Sequence, residues 1–204
     1  MAHNELFSAI SKVADWCNSS DLSYALIGGL AVSFRTIERA TRDIDLAVLT
    51  KEDQEAEALV RSMQNIGFKA VELAQIRGST QISNVRMLSA EFPGIYLDLL
   101  IGMTGIEAEI VAGATKIEVS SGIVLPVATI PALIAMKVLS SAHKGRRRDI
   151  FDLENLILEA SNEELKQAEG LVSLIVKRGR NQGEDLNSRL SQLIVELRPT
   201  PNNM

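Results

Sequence analysis

The sequence predicts an α+β fold: a mixed β-sheet flanked by helices over residues 1–128, followed by a C-terminal helical bundle over residues 129–204. Three observations carry this. Short apolar runs of strand length alternate with segments of helical period through the first two-thirds of the chain. Beyond residue 128 every apolar pattern has the helical period. No repeat, low-complexity tract or flexible linker marks the boundary, so the two parts are expected to pack together.

"ELFSAISKVADWCNS" is spaced as an opening helix, and "SYALIG" as a short strand. "GLAVSFRTIE" starts at a glycine pair and turns helical, and "DIDLAVL" is the second strand. "KEDQEAEALVRSMQNIG" is an amphipathic helix closed by Gly67. Three strands follow in "FKAVELA", "QISNVRML" and "GIYLDLLIG". A short helix, "IEAEIVAG", precedes "KIEVSSGIVLPVA", a hairpin turning at Ser121–Gly122. In the last third, Thr129 stands as an N-cap with Pro131 in the first turn of "PALIAMKVLSSA". "RRRDIFDLENLILEA" is the next helix. Ser161 and Glu164 form a capping box for a third, and "EDLNSRLSQLIVEL" is the last.

The chain has 204 residues, 46% of them hydrophobic, enough for a substantial core. A net charge of −5 argues against a generic basic coat for nucleic acid, though not against a local basic patch. The single cysteine, Cys17, excludes an internal disulfide and a cysteine zinc cluster, which fits a reducing cytosol. "MAHNELFSAISK" has an early acid and no long apolar run, so no leader peptide is expected. The apolar stretch Ile123–Leu139 is interrupted by Pro126 and Pro131 and is too short to cross a bilayer. The expectation is a soluble cytoplasmic protein with no membrane partner.

Asp43 and Asp45 lie two residues apart at the start of an apolar strand, so their side chains share one face. Two carboxylates side by side repel, and burial raises the cost to several kcal/mol unless a cation or strong donors compensate. Arg39 or Arg42 is one source of compensation, and a raised pKa on one acid is another. A divalent ion is the third, since magnesium takes one or two carboxylates together with substrate phosphates. Asp98 stands in the middle of the apolar strand "GIYLDLLIG", where packing alone does not favour it. Three such acids on neighbouring strands make a site for one or two metal ions about 3.5–4 Å apart. Gly28 and Gly29 end a strand and begin a helix, presenting N–H groups and the positive end of a helix dipole to a phosphate.

Together, "LIGGLAV", "DIDLAVL" and "IYLDLLI" resemble the polymerase-beta-type nucleotidyltransferases, with their Gly-Gly turn, helix, Asp-x-Asp strand and third acid. "IGGLAVSFRTIERATRDIDL" is similar to the AbiEii-type abortive-infection toxins, as is "ALIAMKVLSSAHKGRRRDIFDLENL" in the helical part. The resemblance covers roughly residues 23 to 156. One departure is Arg35-Thr36, where family members often carry His-Gly. The resemblance implies a nucleotidyltransferase-type fold and transfer of NMP from an NTP to an acceptor hydroxyl, on an RNA or tRNA end or on a protein. It implies magnesium, or manganese in its place, held by Asp43, Asp45 and Asp98 as catalytic acids. It further implies that Gly28, Gly29, Arg39, Thr41 and Lys137 meet the nucleotide, and that a cognate antitoxin exists. The alternatives are an aminoglycoside-type nucleotidyltransferase and a catalytically silent nucleotide- or partner-binding module.

Read without the resemblance, Arg39 bridges to Asp45 or reaches phosphate, and Lys137 is either a snorkelling lysine or a cleft cation. Arg146, Arg147 and Arg148 form the strongest basic run, either a solvated face or a track for an RNA backbone. Arg148, Asp149 and Asp152 are either a local ion pair at a helix start or part of a nucleotide cleft. His3 and His143 are too isolated for a catalytic triad, and Cys17 beside Trp16 reads as packing.

Overall fold

The computed structural model describes residues 2–20, 22–38, 40–50, 53–76, 78–142 and 145–199, so Arg39 and His143 lie outside the described residues. The chain divides into two compact units. The first comprises Met1–Ala31, Arg39–Met103 and Glu107–Ala128, and the second Val32–Glu38, Thr104–Ile106 and Thr129–Met204.

The first unit is built on a seven-stranded sheet in the order β3-β4-β5-β2-β1-β7-β6. Its strands are β1 (Tyr24–Ile27), β2 (Asp43–Val48), β3 (Phe68–Gln75), β4 (Ile82–Ser89), β5 (Tyr96–Leu100), β6 (Thr115–Ser120) and β7 (Ile123–Val127). The sheet is mixed: β2 pairs with β5 in parallel and with β1 antiparallel, while β1 pairs with β7 in parallel. A parallel neighbour requires a long crossover, and the chain supplies it as α3 (Asp53–Asn65), β3 and β4. All four residues of β1 are buried, as befits an apolar strand at the centre of a sheet. Strand β4 alternates strictly: Ser83, Val85, Met87 and Ser89 are buried, while Ile82, Asn84, Arg86 and Leu88 are half-buried. Helix α1 (Ala2–Ser19) buries Leu6, Ala9, Ile10, Val13, Ala14 and Cys17, a stripe of helical period. Burial pushes the Cys17 thiol up to about 12, so it is a packing residue with little thiolate character. Helix α4 (Glu107–Gly113) precedes the β6–β7 hairpin, which turns at Ser121–Gly122 as its sequence predicts, with Gly122 at φ +77°.

Helix α2 (Gly28–Arg35) starts in the first unit and ends in the second. Where the His-Gly pair is absent, Thr36 closes the helix: its backbone N–H and its Oγ1 both donate to the Val32 carbonyl, at 2.9 and 3.0 Å.

The second unit gathers around α5 (Ile130–Ser141), which packs against α6 (Arg147–Glu159), α7 (Asn162–Lys177) and α8 (Leu186–Leu197). Helix α5 is apolar almost all round, the pattern of a helix surrounded by others. Thr129 occupies its N-cap position with a proline in the first turn, but the threonine side chain makes no capping hydrogen bond. The capping box of α7 forms as its sequence predicts: Ser161 Oγ accepts from the Glu164 N–H at 3.2 Å, and Glu164 Oε2 accepts from the Ser161 N–H at 2.8 Å. Asp185 caps α8 by accepting from the Ser188 N–H at 3.1 Å. Arg198, at the end of α8, donates to the Ala160 carbonyl at 2.6 Å and to Asn162 Oδ1 at 3.2 Å, which ties that helix to the α6–α7 junction. Among the described residues no helix is long and apolar enough to cross a membrane.

Candidate active site

Strand β1 ends at Ile27, whose antiparallel partner on β2 is Asp45. The next residue, Gly28, begins α2 with φ +67°. A Cβ at Gly28 would lie 2.0 Å from Asp45 Oδ2 and 2.4 Å from its Cγ. The backbone of the strand-to-helix turn therefore sits directly against the Asp45 carboxyl, and only glycine permits both the turn and the contact. Gly28→Ala is expected to displace Asp45 and lower nucleotidyl transfer by about a hundredfold, the scale of a misplaced reacting group. Rate measurement alongside circular dichroism checks this; a folded variant with wild-type turnover would contradict it.

The sheet register assembles the rest of the face. Asp45 stands opposite Asp98 on β5, and Asp43 opposite Tyr96. Side chains two apart share a face, so Asp43, Asp45, Tyr96 and Asp98 project to one side. Asp43 and Asp45 are half-buried, and Asp98 is buried. On the far side of β5, Asp98 is paired in register with Arg86 of β4. Arg86 Nε donates to Asp98 Oδ1 at 2.9 Å, and Nη2 donates to Oδ2 at 2.7 Å. The same guanidinium lies 5.0 Å from the centre of the Tyr96 ring. Its charged form is strengthened first by the hydrogen bonds to Asp98, then by the charges of Asp98, Asp43 and Asp45. Sequence reasoning missed Arg86. Its signal was an arginine on the outward phase of an alternating strand, and only the register reveals its partner.

Oxygen ligands of this kind suit magnesium, which needs one or two carboxylates and takes the rest of its shell from water and phosphate. Asp43 and Asp45 meet that requirement in type and in placement on one face. Asp98 shares the face, and Arg86 hydrogen-bonds to both of its oxygens. Among the described residues, no three His, Cys, Asp or Glu side chains gather closely enough to hold an ion.

The other predicted residues are placed as follows. The Thr41 Oγ1 accepts from the Asp43 N–H at 3.3 Å, so it shapes the entry to β2. Gly29 lies in the first turn of α2. In the second unit, Lys137 is buried on α5 and bonded to two acids of α6, with Nζ 2.6 Å from Asp149 Oδ1 and 2.8 Å from Asp152 Oδ2. Arg146, Arg147 and Arg148 are exposed around the start of α6, with Arg146 Nη1 3.7 Å from Asp149 Oδ2.

A glycine turn opening a helix, an Asp-x-Asp strand against that turn and a third acid in register on the parallel neighbour are the arrangement that the resemblance to nucleotidyltransferases implies. The chain belongs to the AbiEii family, matching the family described as "Nucleotidyl transferase AbiEii toxin, Type IV TA system" over residues 13–201. Solved structures share the fold. The solution structure of the antibiotic-resistance factor ANT(2'')-Ia aligns with 88% of this chain and 95% of its own, at 16% identity and a TM-score of 0.59. A crystal structure of ANT(2")-Ia in complex with adenylyl-2"-tobramycin aligns with 84% of this chain and 97% of its own, at 16% identity and a TM-score of 0.58. An antigenic nucleotidyltransferase-like protein from Paracoccidioides brasiliensis aligns with 92% of this chain and 93% of its own, at 20% identity and a TM-score of 0.52. A search of curated proteins finds no match.

Proposed function

We propose that the chain transfers a nucleoside monophosphate from an NTP to a hydroxyl of RNA, with magnesium, as the toxin of a toxin–antitoxin pair. The observation that carries the transfer chemistry is the contact between the Gly28 turn and Asp45, which sets a phosphate-accommodating backbone beside a pair of carboxylates. Gly28 and Gly29 stand at the positive end of α2, where main-chain donors suit a triphosphate, with the Asp45 carboxyl beside them. Asp43 and Asp45 would hold the magnesium, and the strand that carries them sets both on one face beside the turn. When bound, the ion supplies charge neutralisation at the entering and leaving oxygens of the α-phosphorus. The acceptor hydroxyl attacks in line, the bond to the leaving oxygen breaks, and pyrophosphate departs. Asp98, opposite Asp45 in the sheet register, would take the hydroxyl proton once Arg86 no longer holds it.

The preference for RNA rests on Arg146, Arg147 and Arg148. Three cations at a helix start oppose the positive dipole there, and Asp149 offsets only part of that cost. An exposed arginine cluster placed against its local electrostatics fits an external polyanion such as an RNA backbone. Phe151, 52% exposed one turn further on, gives the same surface a stacking platform.

The test is to incubate the chain with magnesium, each α-labelled NTP in turn, and total cellular RNA. The expected result is label in RNA from a preferred NTP, lost on chelation. Label on an aminoglycoside instead of RNA would replace the acceptor assignment, and no labelled product with any acceptor would refute the transfer reading. Growth arrest on expression, relieved by a co-expressed neighbouring gene product, is the expected sign of the toxin role.

A further inference from the structure

We propose that Arg86 latches Asp98: the guanidinium holds the carboxylate that a second divalent cation would use, so a second ion enters only when Arg86 lets go. This rests on the reading of Asp43 and Asp45 as the ligands of the first ion.

Three features separate this pair from an ordinary surface salt bridge. The first is its geometry. Nε and Nη2 engage both oxygens of Asp98, a two-pronged pairing that neutralises the carboxylate and sets a fixed positive charge against any second cation there. The second is burial. The Asp98 side chain is 7% exposed, so its charge needs a partner, while the Arg86 side chain is 38% exposed and has room to move outward. The third is placement. Arg86 sits directly across the β4–β5 pair from Asp98, while Asp45 is the residue across the β2–β5 pair. The carboxylate is therefore flanked by the first ion's ligand on one side and by the resident cation on the other. Tyr96, two residues before Asp98, supports the guanidinium through its ring face.

A guanidinium stays charged across the whole working pH range, so acidity or alkalinity does not open the latch. A competing anion can open it. The fork that fits a carboxylate also fits a phosphate, and a bound triphosphate offers Arg86 that exchange.

The test is a manganese titration of the nucleotide-free full chain, followed by electron paramagnetic resonance. Wild type is compared with Arg86→Met and Arg86→Lys. Arg86→Met is expected to bind one more Mn2+ per chain than wild type, and Arg86→Met/Asp98→Asn to lose that extra ion. Arg86→Lys keeps a point charge without the fork, and should admit the second ion more weakly than Arg86→Met. Should Arg86→Met not fold, the Arg86→Lys comparison carries the test. Equal stoichiometry and affinity in wild type and the Arg86 variants would overturn the latch. The first-ion reading is checked separately by Asp45→Asn, which is expected to lose the Mn2+ that wild type binds. A wild-type chain that binds no ion counts against that reading, while the appearance of a site at Asp98 in Arg86→Met still reports on the latch.

Discussion

Asp45→Ala is expected to lower nucleotidyl transfer by about a thousandfold or more while the chain stays folded. Asp45 is the carboxylate in contact with the Gly28 turn and in register with Asp98, so its loss removes the centre of the acidic face. Metal stabilisation of the reacting oxygens is worth several kcal/mol, and each 1.36 kcal/mol is about a factor of ten. The chain should stay folded, because Asp45 is only half-buried. Labelled-NTP transfer and a thermal melt on the same preparation decide the matter. Retained turnover would remove Asp45 from the chemistry, and an unfolded variant would make its role structural.

Lys137→Met is expected to cost about 3–5 kcal/mol of folding stability, the scale for breaking a buried ion pair from one side. The Lys137 side chain is 10% exposed and faces Asp149 and Asp152, with Asp152 1% exposed. Removing the cation leaves two carboxylates facing each other with little water to screen them. The melting temperature should fall by roughly 6–20 °C for a chain of this size. Adding Asp149→Asn and Asp152→Asn to Lys137→Met should recover most of the loss, since the neutral trio no longer carries an uncompensated charge. A drop below about 1 kcal/mol in Lys137→Met would mean that the two acids find other compensation.

Most of the elements were legible because each carries its own period. The stripe of α1, the alternation of β4 and the capping box at Ser161 are local signals, and each produced the local structure it predicts. The relations between strands were not legible in the same way. That Asp45 faces Asp98 depends on the crossover returning β5 to the side of β2 in one particular register, and no short-range pattern encodes it. Arg86 escaped notice for that reason, although its strand was recognised. Lys137 was visible as a charge in an apolar helix, but its pairing with Asp149 and Asp152 depends on how α6 lies against α5. The Thr41 hydroxyl accepts from the Asp43 N–H at the entry to β2, a backbone contact that the motif does not encode.

The parallel pairing of β2 with β5 also has a meaning in time. Asp43 and Asp45 emerge early in synthesis, but their neighbour arrives only after α3, β3 and β4 have been made. Closing that long connection costs entropy before any ladder bond forms, so the acidic face belongs to the late, non-local part of folding. A nascent chain that stops before Tyr96 therefore carries the Asp-x-Asp strand without Asp98 and without the parallel neighbour of β2. The acidic face is complete only in a chain whose sheet has been built through to β5.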